Sequence, residues 1–508
     1  MAWSNEKPRL MNFRDWVPDW GRVVLYLVFL CSFQFSNGMY FTAFAQMQGA
    51  FSVTQNDVAM MGQTVLIGLT MYFPLAFRLK FRFTNRTSLL IAALGQCCCN
   101  LIFPHLESFP AMLAVCFVGG FLRLYGTFEC FSNLLPKITP TYNYAVFLSF
   151  VFWIVLGFIN VFDIISTHII YELGWQYVHT TAVCLTLLTA ILVLVTMRPF
   201  RPQPLAPLYG INWLGFMTWS LFILSLIFVA QYGEQYGWLA SPCIRAGLCV
   251  ATLCFAYGIW AMFHLRHPFI ETGAFSLRNF WLIMFLFLCL DILLSTQTVL
   301  QNTVVTEFLG MDQVHAADLK WLDFIGQTIG AFFCWWTLTK AKWSPKLVLF
   351  LSFTAIVLYA LGMTSVVSRG MDTKALYLPL ILCGIGHVGV FIVLTVYAQA
   401  TANFKYYFQI LCLLGFIRTG VGAPIGDAIF ATALTGLMNL RPDLELVIRE
   451  LYGYSVIFGV GVLSLIVLSR FKQQIYSTVP LLESIFVAAI RKWDLKAFAK
   501  RNVSSRRF

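Results

Sequence analysis

Charge is what this chain has least of: Asp, Glu, Lys and Arg together make up 11% of its 508 residues, against about 25% in soluble globular proteins. That scarcity excludes a water-soluble fold of this length, because too few polar side chains exist to cover its surface. No Cys-x-x-Cys pair occurs among its 14 cysteines, and none stands at zinc spacing from histidine. This excludes a disulfide framework and a structural zinc site, and leaves free thiols inside apolar runs. The first twenty residues lack the apolar core of a cleavable leader and carry Lys7, Arg9 and Arg14 instead. No catalytic triad, metal cluster or phosphate loop stands in a polar segment, so the chain reads as a non-enzyme with no metal and no cofactor.

What is present is hydrophobic length. Apolar residues make up 59% of the chain, and they fall in blocks of about 20, enough to cross roughly 30 Å of hydrocarbon. Helices are predicted at 22–47, 57–77, 87–106, 110–135, 143–170 and 176–197. After a Pro-rich connection, two more follow at 211–231 and 242–264. Six further helices are predicted at 279–303, 318–339, 345–366, 376–399, 407–435 and 452–470.

The formal charge of +12 is explained by the loops and needs no nucleic-acid partner. Alternating the gaps from an inside N-terminus places most bases on one side: Arg14 and Arg22, then Arg78, Lys80, Arg82 and Arg86, then Lys137, Arg198, Arg266, Lys340, Lys342, Lys346 and Lys405. Arg245, Lys320, Arg369, Lys374, Arg441 and Arg449 fall on the other. The positive-inside rule therefore predicts fourteen transmembrane helices with both termini cytoplasmic.

The loop from Arg78 to Arg86 is matched by the loop from Lys340 to Lys346. Such an echo suggests two parallel six-helix lobes. The expected fold is thus all-α integral membrane. It comprises a cytoplasmic N-terminus at 1–21, a lobe at 22–199, a linker with two extra helices at 200–265, a second lobe at 266–472 and a basic tail at 473–508. In the tail, Leu481, Ile485, Ala488 and Phe498 are spaced to lie on the bilayer surface.

Charges inside these helices are functional candidates, because an unpaired charge in hydrocarbon costs several kcal/mol. Arg123 falls near the midplane of the fourth helix, and Glu129 lies six residues on, about 240° around it. Asp291 and Arg418 are predicted near the midplane of the ninth and thirteenth helices, Asp163 and Asp427 in outer halves, and Asp323 near an outer end. Asp291 is followed by Ser295, Thr296, Gln297, Thr298, Gln301 and Asn302, a polar stripe suited to a cavity wall. A proton or substrate site between the lobes and a set of structural Arg–acid pairs both fit these charges. Gly384, Gly386 and Gly389 read as small residues for close helix contact rather than a dinucleotide fingerprint. His387 among them is either a titrating group or a hydrogen-bonded structural one. Gly422, Pro424 and Gly426 predict a break in the thirteenth helix.

Three stretches resemble a known family. Tyr232-Gly233-Glu234-Gln235-Tyr236-Gly237-Trp238 is similar to the Gly…Gly-Trp loop between two extra helices. His267-Pro268-Phe269-Ile270 with Arg278-Asn279-Phe280 is similar to the lead-in to a second half. The run from Arg418 to Ile429 is similar to an Arg-x-x-Gly-Gly-x-x-Gly-x-Ala-Ile stretch. Together they resemble the major facilitator superfamily, in its fourteen-span drug:proton antiporter branch (EmrB/QacA-like), over about residues 20–475. The resemblance implies multidrug-type efflux driven by a proton gradient, from a bacterial cytoplasmic (inner) membrane. It implies a small-molecule substrate, the lipid bilayer and a periplasmic adaptor protein as partners.

The family's arginine in the fourth helix fits Arg123. Asn37 stands where its first helix carries an acid, Phe77-Arg78-Leu79-Lys80-Phe81-Arg82 lacks the acid of its first basic loop, and Phe162-Asp163-Ile164-Ile165-Ser166-Thr167 replaces its Gly-rich antiporter motif. These departures leave two alternatives open: an importer or facilitator that lost the antiport motifs, and a non-transporting membrane scaffold.

Overall fold

The computed structural model describes residues 12–35, 53–140, 143–199, 208–276, 279–368, 370–402, 404–469 and 471. Asn37 and the tail from 473 lie outside these residues. The long helices are α1 (Asp19–Phe35), α2 (Asn56–Arg82), α3 (Asn85–His105), α4 (Phe109–Ile138), α5 (Tyr144–Leu173) and α6 (Trp175–Thr196). They continue as α7 (Trp213–Tyr232), α8 (Pro242–His264), α9 (Phe280–Phe308), α10 (Lys320–Thr339), α11 (Pro345–Val366), α12 (Thr373–Thr401), α13 (Lys405–Leu440) and α14 (Leu444–Leu468). Twelve of them are long and apolar enough to cross a bilayer, which makes this a multi-pass membrane protein. The other two are α1, described over 17 residues, and α10, whose Lys320, Asp323 and Gln327 lower its mean hydropathy.

Local chemistry sets the helix starts. Thr54 and Asp57 form a reciprocal capping box on α2. Thr84, Asn143, Asn212 and Ser344 cap α3, α5, α7 and α11 with side-chain oxygens. Gly174, at φ 107°, makes the sharp turn from α5 to α6. Several boundaries differ from the sequence reading: α9 and α13 each run five residues further, to Phe308 and Leu440. α14 begins at Leu444 rather than near 452, and α2 runs on through the expected basic loop to Arg82.

The packing repeats itself. Helices α2 and α4, α3 and α4, α3 and α6, and α1 and α5 are neighbours, and so are α10 and α12, α11 and α12, α11 and α14, and α9 and α13. Adding eight to each number of the first set gives the second. The two sets meet along α2–α13 and α5–α10, two seams that the same renumbering exchanges. This is the signature of a pseudo-two-fold axis. The basic-loop echo has its physical reason here. Arg86, second residue of α3, donates to Leu194 O near the end of α6 at 3.2 Å. Lys346, second residue of α11, donates to Val467 O and Ser469 O at the end of α14, at 2.6 and 2.9 Å. In each set a base of the third helix satisfies the exposed carbonyls, and the negative dipole end, of the sixth.

The inserted pair sits to one side. α7 packs on α2 and α13, along one seam, while α8 packs on α7. Trp219 of α7 stacks on Phe416 at 5.8 Å, Asn56 of α2 donates to Gln235 at 3.0 Å, and Tyr232 of α7 donates to Asp57. The pair therefore covers the α2–α13 seam from outside.

Candidate functional site

Among the described residues two of the long helices widen into π-helix, and the candidate site lies between those segments. α9 winds as π-helix over Thr296–Gln301 and Val304–Phe308, and α13 does so over Phe416–Gly422, just before Pro424. Proline has no N–H to donate into the preceding turn, and the widened winding absorbs that loss. Such single-turn bulges occur frequently at functional sites. The expected break at Gly422, Pro424 and Gly426 therefore takes the form of a π segment.

The two irregular helices press together there. A Cβ on Gly422 would stand 2.9 Å from Asp291 Cβ, and one on Gly426 would stand 2.3 Å from Ser295 Oγ. The glycines let α13 lie directly on the Asp291 face of α9. Arg418, one turn before Gly422, then donates its Nε to Asp291 Oδ1 at 3.3 Å. Asp291 is 4% exposed and Arg418 32%. The guanidinium carbon lies 4.4 Å from the ring centroid of Phe391 on α12, a cation–π contact. Phe391 in turn meets Phe152 of α5 at 5.5 Å, Phe287 of α9 at 5.3 Å and His387 at 5.3 Å. Asp291 and Arg418 thus stand where the second set of helices meets α5 of the first. Among the described residues, Asp291 Oδ2 and His387 Nε2 are buried without a hydrogen-bond partner.

Other predicted residues fall outside this pair. Asp427 accepts from Thr298 at 2.5 Å, one α13 turn from Gly422. The polar stripe of α9 is corrected to three faces. Gln297 donates to Asp323 of α10 at 3.2 Å, Thr298 turns to Asp427, and Gln301 accepts from Tyr359 of α11 at 3.1 Å. Thr296 is 1% exposed and bonds back to Leu293 O. Thr296 is therefore buried and Gln301 faces α11, because residues in immediate succession point in different directions around a helix. Gly384 closes on α10, where a Cβ would stand 2.4 Å from Asp323 O, in agreement with the close-contact reading.

Arg123 and Glu129 face different neighbours, as their angular spacing predicts. Arg123, 1% exposed, donates to Gln34 of α1, which donates on to Thr127 at 3.0 Å. Glu129 is 3.3 Å from Lys80 through both carboxylate oxygens and accepts from Asn133 at 2.8 Å. Lys80, expected in a solvated loop, is buried beside it and also donates to Ser132 at 2.6 Å. Asp163 of α5 is ion-paired with Lys320 of α10, and His168 is hydrogen-bonded to Asp318 at 3.1 Å. Both pairs join the two helix sets at the end opposite the one where Lys346 caps α14.

Sequence reasoning missed Gln34, Lys80, Lys320 and Phe391. Only Lys320 carried a signal, as a lone base in the first turn of a helix whose partner seam has a lone acid. Lys320→Gln is expected to loosen the α5–α10 seam at that end, read as faster maleimide labelling of a cysteine placed at Thr167. Unchanged labelling would show that the pair does not hold the seam.

No protein-family model matches the sequence and no curated protein does. The fold does have solved counterparts. An auto-inhibited peptide transporter of the POT family superposes with a TM-score of 0.59 at 13% identity, covering 90% of this chain and 98% of that one. A mutant POT peptide transporter in complex with alafosfalin gives 0.58 at 12%, covering 88% and 94%. The human organic anion transporter MFSD10 (TETRAN) gives 0.54 at 11%, covering 88% and 100%. Likeness at these identities is likeness of fold. The chain shares the helical fold of these solved transporters, and they do not single out the drug:proton antiporter branch.

Proposed function

We propose that this protein is a proton-coupled membrane transporter of amphipathic small molecules, working by alternating access of two lobes at about 22–199 and 266–472, with the helices of 200–265 inserted between them. The observation that carries the reading is the Asp291–Arg418 pair. It is a buried carboxylate with one oxygen unpartnered, bridged to a one-third-exposed arginine at 3.3 Å by two irregular helices where the lobes meet. Irregular backbone at membrane depth is tolerated where it is buried or lines a cavity, and discontinuous helices there commonly form ion and substrate sites. The exchange of α2–α13 with α5–α10 under the pseudo-symmetry supports rocking, since each seam can open while its mate closes.

Fourteen membrane crossings, cytoplasmic termini and the inner membrane of a bacterium belong to this proposal through the charge asymmetry and the family resemblance. The test is reconstitution in vesicles with an imposed pH gradient and a panel of amphipathic compounds. Substrate-dependent proton movement is expected in the wild type. No proton movement with any compound, alongside normal substrate flux, would leave a facilitator.

A further inference from the structure

Arg418 is held at its side, not at its end. Its contact with Asp291 runs through Nε, and its face lies on Phe391. Among the described residues neither terminal nitrogen, Nη1 nor Nη2, has a hydrogen-bond partner, while the side chain is 32% exposed. The two terminal nitrogens form the fork that matches the oxygens of a carboxylate, sulfonate or phosphate. A guanidinium used only to neutralise Asp291 would present this fork to it, because two parallel bonds beat one.

Resting on the transporter reading above, we propose that the Arg418 fork binds the anionic head of an amphipathic substrate. Asp291 takes up a proton as Arg418 is drawn to that head, so anion and proton are loaded together.

The argument is one of charge balance. The Asp291–Arg418 pair is neutral. An anion on the fork adds one negative charge and weakens the hold of Arg418 on Asp291. Asp291 would then be a buried carboxylate without its cation, a strongly disfavoured state that protonation from the open aqueous side removes. Oδ2, already without a partner, is the atom that receives the proton. The surrounding groups do not supply another cation. On α13 the nearby titratable group is Asp427, an acid that accepts from Thr298. On α12 it is His387, whose ring lies 5.3 Å from that of Phe391. On α10 it is Asp323, bonded to Gln297 farther along α9. Aromatic surface suited to a lipophilic body adjoins the fork in Phe391, Phe152 and Phe287. A cationic substrate predicts the reverse linkage, since it would compete with the proton for Asp291.

The sign of the linkage is the test. Proteoliposomes of the full chain are given three probes with one aryl body: dansylglycine (anion), dansylamide (neutral) and dansylcadaverine (cation). Dansylglycine flux is expected to exceed the others, with about one proton entering per anion in the same direction. Arg418→Lys, which keeps the charge and loses the fork, is expected to lower dansylglycine flux about tenfold. Asp291→Asn is expected to keep measurable anion flux and lose the accompanying proton. Size-exclusion profiles matching the wild type establish that both variants fold, and Arg418→Gln is the second variant at the fork. Proton-coupled flux of dansylcadaverine or dansylamide without dansylglycine would overturn the anion proposal and leave the transporter reading standing. Flux of dansylglycine with no proton would overturn the co-loading. No flux of any probe would remove both.

Discussion

Lys80→Met is expected to destroy the protein's stability, and Lys80→Met combined with Glu129→Gln to restore most of it. The side chains of Lys80 and Glu129 are 2% and 1% exposed, so Met at position 80 would leave a carboxylate sealed in the α2–α4 contact without its cation. Breaking a buried ion pair from one side costs about 3–5 kcal/mol, a large part of the stability of a typical fold. In the double variant a neutral amide at position 129 could still accept from Asn133, which now bonds Glu129 Oε1 at 2.8 Å. The measurement is the unfolding temperature and monodisperse yield in detergent for the two singles and the double. A single variant as stable as the wild type would mean that Glu129 is hydrated or protonated and that the pair is not structural.

Gly120→Val should also be lost, while Gly119→Val, one residue away, should express normally. A Cβ at Gly120 would stand 1.9 Å from Val65 O and 3.0 Å from Leu69 N, both backbone atoms of α2, whereas nothing lies within 4 Å of a Cβ at Gly119. Overpacking of this kind costs about 1–3 kcal/mol, more where no side chain can turn aside. The symmetry-related contact has the same construction, with Gly326 of α10 set on Ile381 O of α12 at 2.2 Å from an added Cβ. Gly326→Val is therefore expected to behave like Gly120→Val. Equal yields for the two neighbouring substitutions at 119 and 120 would show that α2 and α4 separate more easily than their contact implies.

Much of the fold was legible because hydropathy and loop charge act locally. A run of about 20 apolar residues must become a helix whatever surrounds it, since its backbone groups have no other partner in lipid. Most of the predicted helices consequently overlap their counterparts closely, with α14 starting eight residues early and the far end of the first predicted helix lying outside the described residues. The echo of two basic loops was legible too, and Arg86 and Lys346 turn out to play one role in both sets.

The site was only partly legible. Sequence spacing put Arg123 and Glu129 on different faces of one helix, correctly, because the helical period is fixed. It gave no partner for either. Gln34 and Lys80 come from α1 and α2, and which helix lies across a given face is set by packing of whole helices. The same limit hid the pairing of Asp163 with Lys320 across 157 positions. The partners of the stripe after Asp291 were hidden too: Gln297, Thr298 and Gln301 bond three different helices, in a stretch that winds partly as π-helix.

By itself, then, the sequence determined that this protein lives in a membrane, roughly where its long apolar helices fall and where its buried charges stand along them, because these depend on each residue's own transfer from water to lipid. Only the tertiary structure decided that Asp291 meets Arg418, that Lys80 leaves its expected loop for Glu129, and that α7 covers the α2–α13 seam. Those contacts depend on glycines that let backbones approach to van der Waals distance and on local unwinding beside Pro424. Neither has an energy until a second helix is there to be touched.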